Sequence, residues 1–202
     1  WCEPLPSDLA VEALPVGSDG LVFGLCDLPQ EQRLGVAVYH PQRDGHLLVV
    51  GGAGSGKSTA LAAIARSAAA VVRIPGEPAA AWDTVEDLVE AIDRGDRRDR
   101  PGHTLAIADD FDSVVAPFGG DHRAGFADLI GRVLRDGPAR GIHVVISVQR
   151  LTSEVQSAAL GVPSRLLLRQ SSRQDFILAG GEGAHYVDNL PPGGAVWHGL
   201  RA

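Results

Sequence analysis

The chain has 202 residues, 45% apolar and 21% charged, with a formal net charge of −7. That length accommodates one domain with a real core, and those fractions are ordinary for a globular protein. No apolar run approaches the 18 residues a membrane-crossing helix needs, and the acidic balance argues against a broad DNA-binding face, which shows as a basic domain.

Residues 1–20 are rich in Pro, Ser, Asp and Gly and read as a leading segment lying on the domain, where Leu9, Val11 and Leu14 pack a short helical turn. The start at Trp1 and the absence of methionine suggest a module excised from a longer protein. Cys2 and Cys26 have no His/Cys cluster around them and read as reduced thiols, with no metal site. LVFGLC (21–26) and LGVAVY (34–39) are candidate strands, paired as a hairpin-like β edge across the polar turn DLPQEQR. After a turn at 40–45, HLLVV (46–50) reads as a short buried strand, and TALAAIARSAAA (59–70) as an Ala-rich helix. VVRI (71–74) is a strand stopped by Pro75-Gly76.

Over 82–94, Trp82, Val85, Leu88, Val89 and Ile92 hold helical spacing, followed by the mixed-charge solvated loop DRGDRRDR (93–100). TLAIA (104–108) is a buried strand running into Asp109-Asp110. Phe126, Leu129, Ile130, Val133 and Leu134 predict a helix over 124–135, broken by 136–141. IHVVISV (142–148) is a strand, 152–160 a weak helix, RLLLR (165–169) a strand, 174–178 a short helix and AVWH (195–198) a final strand. This alternation predicts an α/β fold with a mainly parallel sheet flanked by helices on both faces. The expected organisation is a leading segment and β edge (1–45) on a core (46–202).

The stretch Gly51-Gly52-Ala53-Gly54-Ser55-Gly56-Lys57-Ser58, followed by Thr59, matches the phosphate-binding loop G-x-x-x-x-G-K-[ST] and sits between a strand and a helix. The glycines let backbone N–H groups curl around one anion, and the helix N-terminus adds partial positive charge. Lys57 would reach the β- and γ-phosphates of ATP, and the Ser58 hydroxyl would ligate Mg²⁺. Of 18 Lys and Arg residues Lys57 is the only lysine, and a compact ammonium fits between phosphates where a planar guanidinium does not.

Hydrolysis needs an acid at the end of a neighbouring strand. Asp109 is placed to hold Mg²⁺ there, and Asp110 occupies the position where a glutamate would orient the attacking water. Aspartate is one methylene shorter, and a displacement of about 1 Å can cost roughly 100-fold in rate. Gln149 ends a strand, where a polar side chain can touch the γ-phosphate or the water. Arg135, Arg140 and Arg150 are candidates to act on a neighbouring subunit's nucleotide.

The order GGAGSGKST, LAIADD, ARGIHVVISVQR, PSRLLLRQSSRQDFILAG resembles the FtsK/SpoIIIE class of RecA-like ATPases. Within it, LPSDLAVEALP, GLCDLPQEQR, the ADDFD form and LPPGGAVWHG are similar to the tandem ATPase modules of EccC/EssC, the membrane-anchored motors of type VII secretion. The resemblance implies a RecA-like fold, neighbouring ATPase modules in a parent chain, a hexamer with nucleotide between subunits and a place on the cytoplasmic face of the membrane. It also implies, as cargo, the helical C-terminal signal of a secreted protein rather than nucleic acid. The complete loop supports ATP binding, and Asp110 in place of glutamate departs from the active pattern. The rival readings are a DNA translocase motor of the same class and a partner-binding module with a vestigial loop.

Overall fold

The computed structural model describes residues 4–6, 8–15, 20–95 and 102–202. Cys2 and the loop from 96 to 100 lie outside the described residues. A seven-stranded sheet runs in the order β4 (Ala70–Ile74), β5 (Thr104–Ala108), β6 (Ile142–Val148), β3 (Leu47–Val50), β7 (Ser164–Leu168), β8 (Ala195–Trp197), β9 (Leu200–Arg201). The first five are parallel, and β8 and β9 are antiparallel additions. β3 sits in the middle, with Val50 level with Val148 on one side and Leu167 on the other.

Alternation along β3 builds two cores. Leu48 and Val50 face a cluster filled from α3 (Pro78–Asp93), α4 (Phe111–Val115), α5 (Gly120–Asp136) and α6 (Ser153–Leu160). Leu47 and Val49 face the opposite cluster, with Leu61 and Ile64 of α2 (Lys57–Arg66) and with Tyr39 and Trp197. All four β3 residues are buried, as a strand covered on both faces requires. No helix among the described residues is long and apolar enough to cross a membrane.

The expected N-terminal hairpin, β1 (Leu21–Leu28) and β2 (Arg33–Tyr39), forms a small two-stranded antiparallel sheet of its own that packs on α2. Residues 40–45 hold a single helical turn, α1 (Pro41–Asp44). The leading segment makes one 3₁₀ turn at Val11–Ala13, on the apolar spacing expected of it.

α2 is shorter at its end than composition suggests. Ala68 to Ala70 have high helix propensity, yet Ala70 pairs with Thr104 at the start of β4, and the ladder overrides the propensity. α3 begins four residues earlier than its apolar spacing predicts. Pro78 stands in its first turn, and the Glu77 carboxylate caps it by accepting from Ala79 and Ala80 N–H at 3.1 and 2.7 Å. Four elements are too short to show in the sequence: the five-residue α4, β9 and the 3₁₀ turns Pro138–Arg140 and Gly183–His185. The short helix before the C-terminal loops is α7 (Arg173–Leu178), capped by Ser172 accepting from Asp175 N–H at 3.1 Å.

Candidate functional site

The loop 51–56 leaves the carboxyl end of the central strand, the position at which parallel sheets hold ligands. It is tied down at its base: Gly51 N–H donates to Val148 O at 3.2 Å and Gly52 N–H to Arg169 O at 3.0 Å. Gln170 Nε2 bridges Val50 O and Leu168 O at 2.9 and 3.1 Å. On the far side Gly193 N–H donates to Ser55 O at 2.9 Å, so the Pro191-Pro192-Gly193 turn braces the loop. Two glycines are obligatory here. A Cβ on Gly51 would lie 2.4 Å from Ser55 Oγ. Gly56 has φ +101° and a Cβ there would lie 2.8 Å from Gly193 N.

Among the described residues, the N–H groups of Ala53, Gly54 and Gly56 donate to no protein acceptor. No side chain caps the first turn of α2 either, so its N–H groups point unpaired along the helix axis with Lys57 as the first helical residue. Such an arrangement of N–H groups could hold an anion. Lys57 is 7% exposed, and its Nζ lies 3.3 Å from Asp110 Oδ1, an ion pair without the alignment of a hydrogen bond.

Ser58 lies near enough to Asp109 for its hydroxyl to help lower the Asp109 carboxyl. Burial pushes the Asp109 carboxyl up, but hydrogen bonds from Ser147 and Ser58, the Asp110 N–H and the Lys57 charge outweigh it and hold the carboxyl below its ordinary value. Asp109 is therefore an anion, as a magnesium ligand must be. Ser147 is fully buried; its Oγ donates to Asp109 Oδ1 at 2.5 Å and accepts from Asp110 N–H at 2.8 Å.

Asp110 is left-handed, with φ 46° and ψ 52°, and forms the N-cap position of α4. Gln149 is exposed, and its N–H donates to Asp112 Oδ2 at 3.3 Å. Thr59 and Ala53 are exposed on the loop and the first turn of α2. Arg150 follows β6 on the same side and donates to Ser171 Oγ at 3.5 Å. Arg135 and Arg140 precede β6, at the opposite end of the sheet, where they cannot serve their own chain's loop.

Ser147, Asp112, Arg169, Gln170 and Gly193 are site residues that sequence reasoning does not single out. Ser147 carried a signal, a lone hydroxyl near the end of the apolar run IHVVISV. The others are brought in by loops and had none. The donor set fits a magnesium nucleotide. Lys57 is a buried cation whose ion-pair partner among the described residues is the half-exposed Asp110, and Ser55 Oγ, Asp110 Oδ1 and Asp112 Oδ1 are buried with no hydrogen-bond partner among the described residues.

Beside the loop is an apolar cavity of about 270 Å³. Leu9, Val11, Leu14 and Phe23 are among the residues that line it, and Val22 is buried in the core instead.

No family model matches the chain, and no curated protein does. Solved structures do. ATPases 2 and 3 of EssC from Geobacillus thermodenitrificans match with a TM-score of 0.73 at 17% identity, over 98% of this chain and 46% of that one. ATPases 2 and 3 of Thermomonospora curvata EccC, in complex with a signal sequence peptide, match at 0.69 and 18%, over 100% and 48%. The pCW3 conjugation coupling protein TcpA, a monomer form with ATPγS, matches at 0.74 and 16%, over 96% and 67%. The chain spans about half the length of the EssC and EccC structures it matches. What it shares with all three is the RecA-like fold.

Proposed function

We propose that this chain is a magnesium-ATP-binding module of the FtsK/SpoIIIE class, of the kind that EccC and EssC carry in tandem for type VII secretion. The single observation that carries the reading is the assembly of Lys57, Ser58 and Asp109 around the unpaired N–H groups of the loop and the first turn of α2. Magnesium supplies charge neutralisation across the phosphates when bound. Ser58 and Asp109 would hold it, the loop N–H groups would bind phosphate oxygens, and Lys57 would exchange Asp110 for them. Asp110 and Gln149 are the candidates for positioning water.

In this reading the chain works beside neighbouring ATPase modules of a membrane-anchored parent, on its cytoplasmic face, within a hexamer. Nucleotide binding is coupled there to recognition or translocation of a protein carrying a helical C-terminal signal. Support for a protein cargo comes from the likeness to the EccC–peptide complex and from the net charge of −7, which repels a polyanion at long range. A DNA-translocating motor of the same class is the second reading, favoured by the equal likeness to the conjugation coupling protein.

Titration with Mg·ATP alongside phosphate release tests the first claim; absence of ATP binding would leave only a vestigial loop. Parallel titrations with mixed-sequence duplex DNA and with a substrate-derived helical peptide separate the two cargoes. DNA binding that weakens steeply with salt, without peptide binding, would replace the secretion reading with the translocase.

A further inference from the structure

The loop 51–56 has a second cation beside it. β7 lies against β3 on the side away from β6, β5 and Asp109. Leu167 is level with Val50, so Arg169, just past the end of β7, emerges next to the loop. Its main chain is stitched there, with Arg169 O accepting from Gly52 N–H at 3.0 Å. Its side chain turns along the same loop, and Nη2 donates to Gly54 O at 3.5 Å. A Cβ on Gly54 would lie 4.0 Å from that nitrogen, so the guanidinium rides on the loop's edge.

Arg169 has donors to spare. A guanidinium carries five N–H groups, and one long bond to a carbonyl engages a single one of them. Among the described residues no carboxylate pairs with it. Lys57 differs, because its Nζ is 3.3 Å from Asp110 Oδ1. The two cations also take opposite flanks: Lys57 faces an acid that follows β5, and Arg169 stands across β3 from it. A phosphate oxygen reaching Arg169 displaces no acid, only a weak contact to a neutral carbonyl. It gains a charge-assisted bond, for which the planar fork of arginine is well shaped.

We propose that Arg169 is a phosphate ligand of this site and holds the phosphate farthest from the magnesium, which in a nucleoside di- or triphosphate is the α-phosphate. The inference rests on the nucleotide reading above. In that reading Asp109 and Ser58 gather the metal on the β5 side, over the β- and γ-phosphates. The phosphate left for the opposite flank is the one next to the ribose. ADP and ATP share it, so Arg169 contributes equally to both and favours retention of the diphosphate.

The test is calorimetry of the whole chain with Mg·ATP and Mg·ADP, at low and high salt, on the wild type and on Arg169→Gln and Arg169→Lys. Arg169→Gln keeps an N–H donor and removes the charge. It is expected to weaken both nucleotides by the same factor, about tenfold, the scale of a charge-assisted hydrogen bond. It should also flatten the salt dependence of binding, which a mere brace of the loop would leave as it is. Arg169→Lys, which keeps the charge without the fork, is expected to fall between wild type and Arg169→Gln for both nucleotides. A loss for ATP alone would put the arginine on the γ-phosphate and overturn the assignment. Unchanged affinity for both nucleotides, or a loss with the wild-type salt dependence, would make Arg169 a brace and overturn it while the phosphate reading stands. Circular dichroism checks folding; if Arg169→Gln is unfolded, wild-type affinity of Arg169→Lys for both nucleotides overturns the proposal. If the wild type binds neither nucleotide, the phosphate reading itself falls and takes this one with it.

Discussion

Lys57 Nζ stands 3.3 Å from Asp110 Oδ1, so the cation suited to grip phosphate is held by the acid suited to position water. The lysine is buried and the aspartate half-exposed. Phosphate oxygens must displace the carboxylate to reach the ammonium, and their negative charge then faces it. Lys57→Ala is expected to abolish Mg·ATP binding in calorimetry. Asp110→Asn, which keeps the shape and removes the competing charge, should tighten binding roughly two- to fivefold, the scale of a partly exposed ion pair. Weaker binding by Asp110→Asn would show that the aspartate helps to hold the nucleotide.

Turnover by the isolated chain should be slow, below about 1 s⁻¹. Asp110 is short for a water-positioning acid, and an arginine donated by a neighbour, worth about 10³–10⁵-fold in related enzymes, is missing from a monomer. Restoring length will not restore rate. Asp110 sits at φ 46°, a left-handed conformation that aspartate tolerates and glutamate does not. Asp110→Glu should therefore cost about 1 kcal/mol of stability with little gain in phosphate release. An Asp110→Glu monomer turning over at about 1 s⁻¹ or faster would sink the argument.

The elements that carry the site were legible because each announces itself over a short window. HLLVV, TLAIA and IHVVISV are apolar runs of strand length, and the structure places β3, β5 and β6 on them side by side. The loop motif fixed Lys57 and Ser58, and the strand end fixed Asp109. What sequence could not show depends on contacts between distant segments. The Gly193 brace lies 138 positions from Ser55, and the Gln170 tether lies 120 from Val50; neither leaves a local pattern. The N-terminal hairpin reads correctly as two strands, but whether it joins the main sheet or stands apart is decided by packing on α2, which strand periodicity does not encode.

Ser147 is the hidden support of the acidic pair. Its hydroxyl donates to Asp109 and receives the Asp110 N–H, in a fully buried position. Ser147→Ala removes the donor that most lowers the Asp109 carboxyl and deprives Asp110 N–H of its shorter bond, leaving the contact to Asp109 Oδ1 at 3.1 Å. A loss of about 1–3 kcal/mol in chemical denaturation is expected. Magnesium should also strengthen ATP binding less than in the wild type, because the carboxylate that would ligate it is less firmly set. Unchanged stability and unchanged magnesium dependence together would show that Ser147 is only filler.

The last expectation concerns acid. His143 lies on β6 with 2% exposure, and neither ring nitrogen has a hydrogen-bond partner among the described residues. Burial, followed by repulsion from His103 and His46, pushes its value down to about 4 from 6.5. Their rings lie 5.0 and 5.9 Å away, and burial holds both below the ordinary histidine range as well. His46 is fixed in one tautomer: Nε2–H donates to Leu134 O at 2.7 Å while Nδ1 accepts from Val144 N–H at 2.8 Å. His143 has no such anchor. Between pH 6.5 and 4 the unfolded chain takes up a proton at His143 that the folded chain refuses, so stability falls as pH drops through that window and is flat above it. The full loss is roughly 3 kcal/mol from this group. His143→Phe keeps a ring of similar shape and removes two unpaired nitrogens from the interior, so it should melt higher at pH 7 and lose stability less steeply toward pH 5. Melting curves at pH 5, 6, 7 and 8 decide it. A variant with the wild-type slope would place the proton uptake elsewhere in the chain.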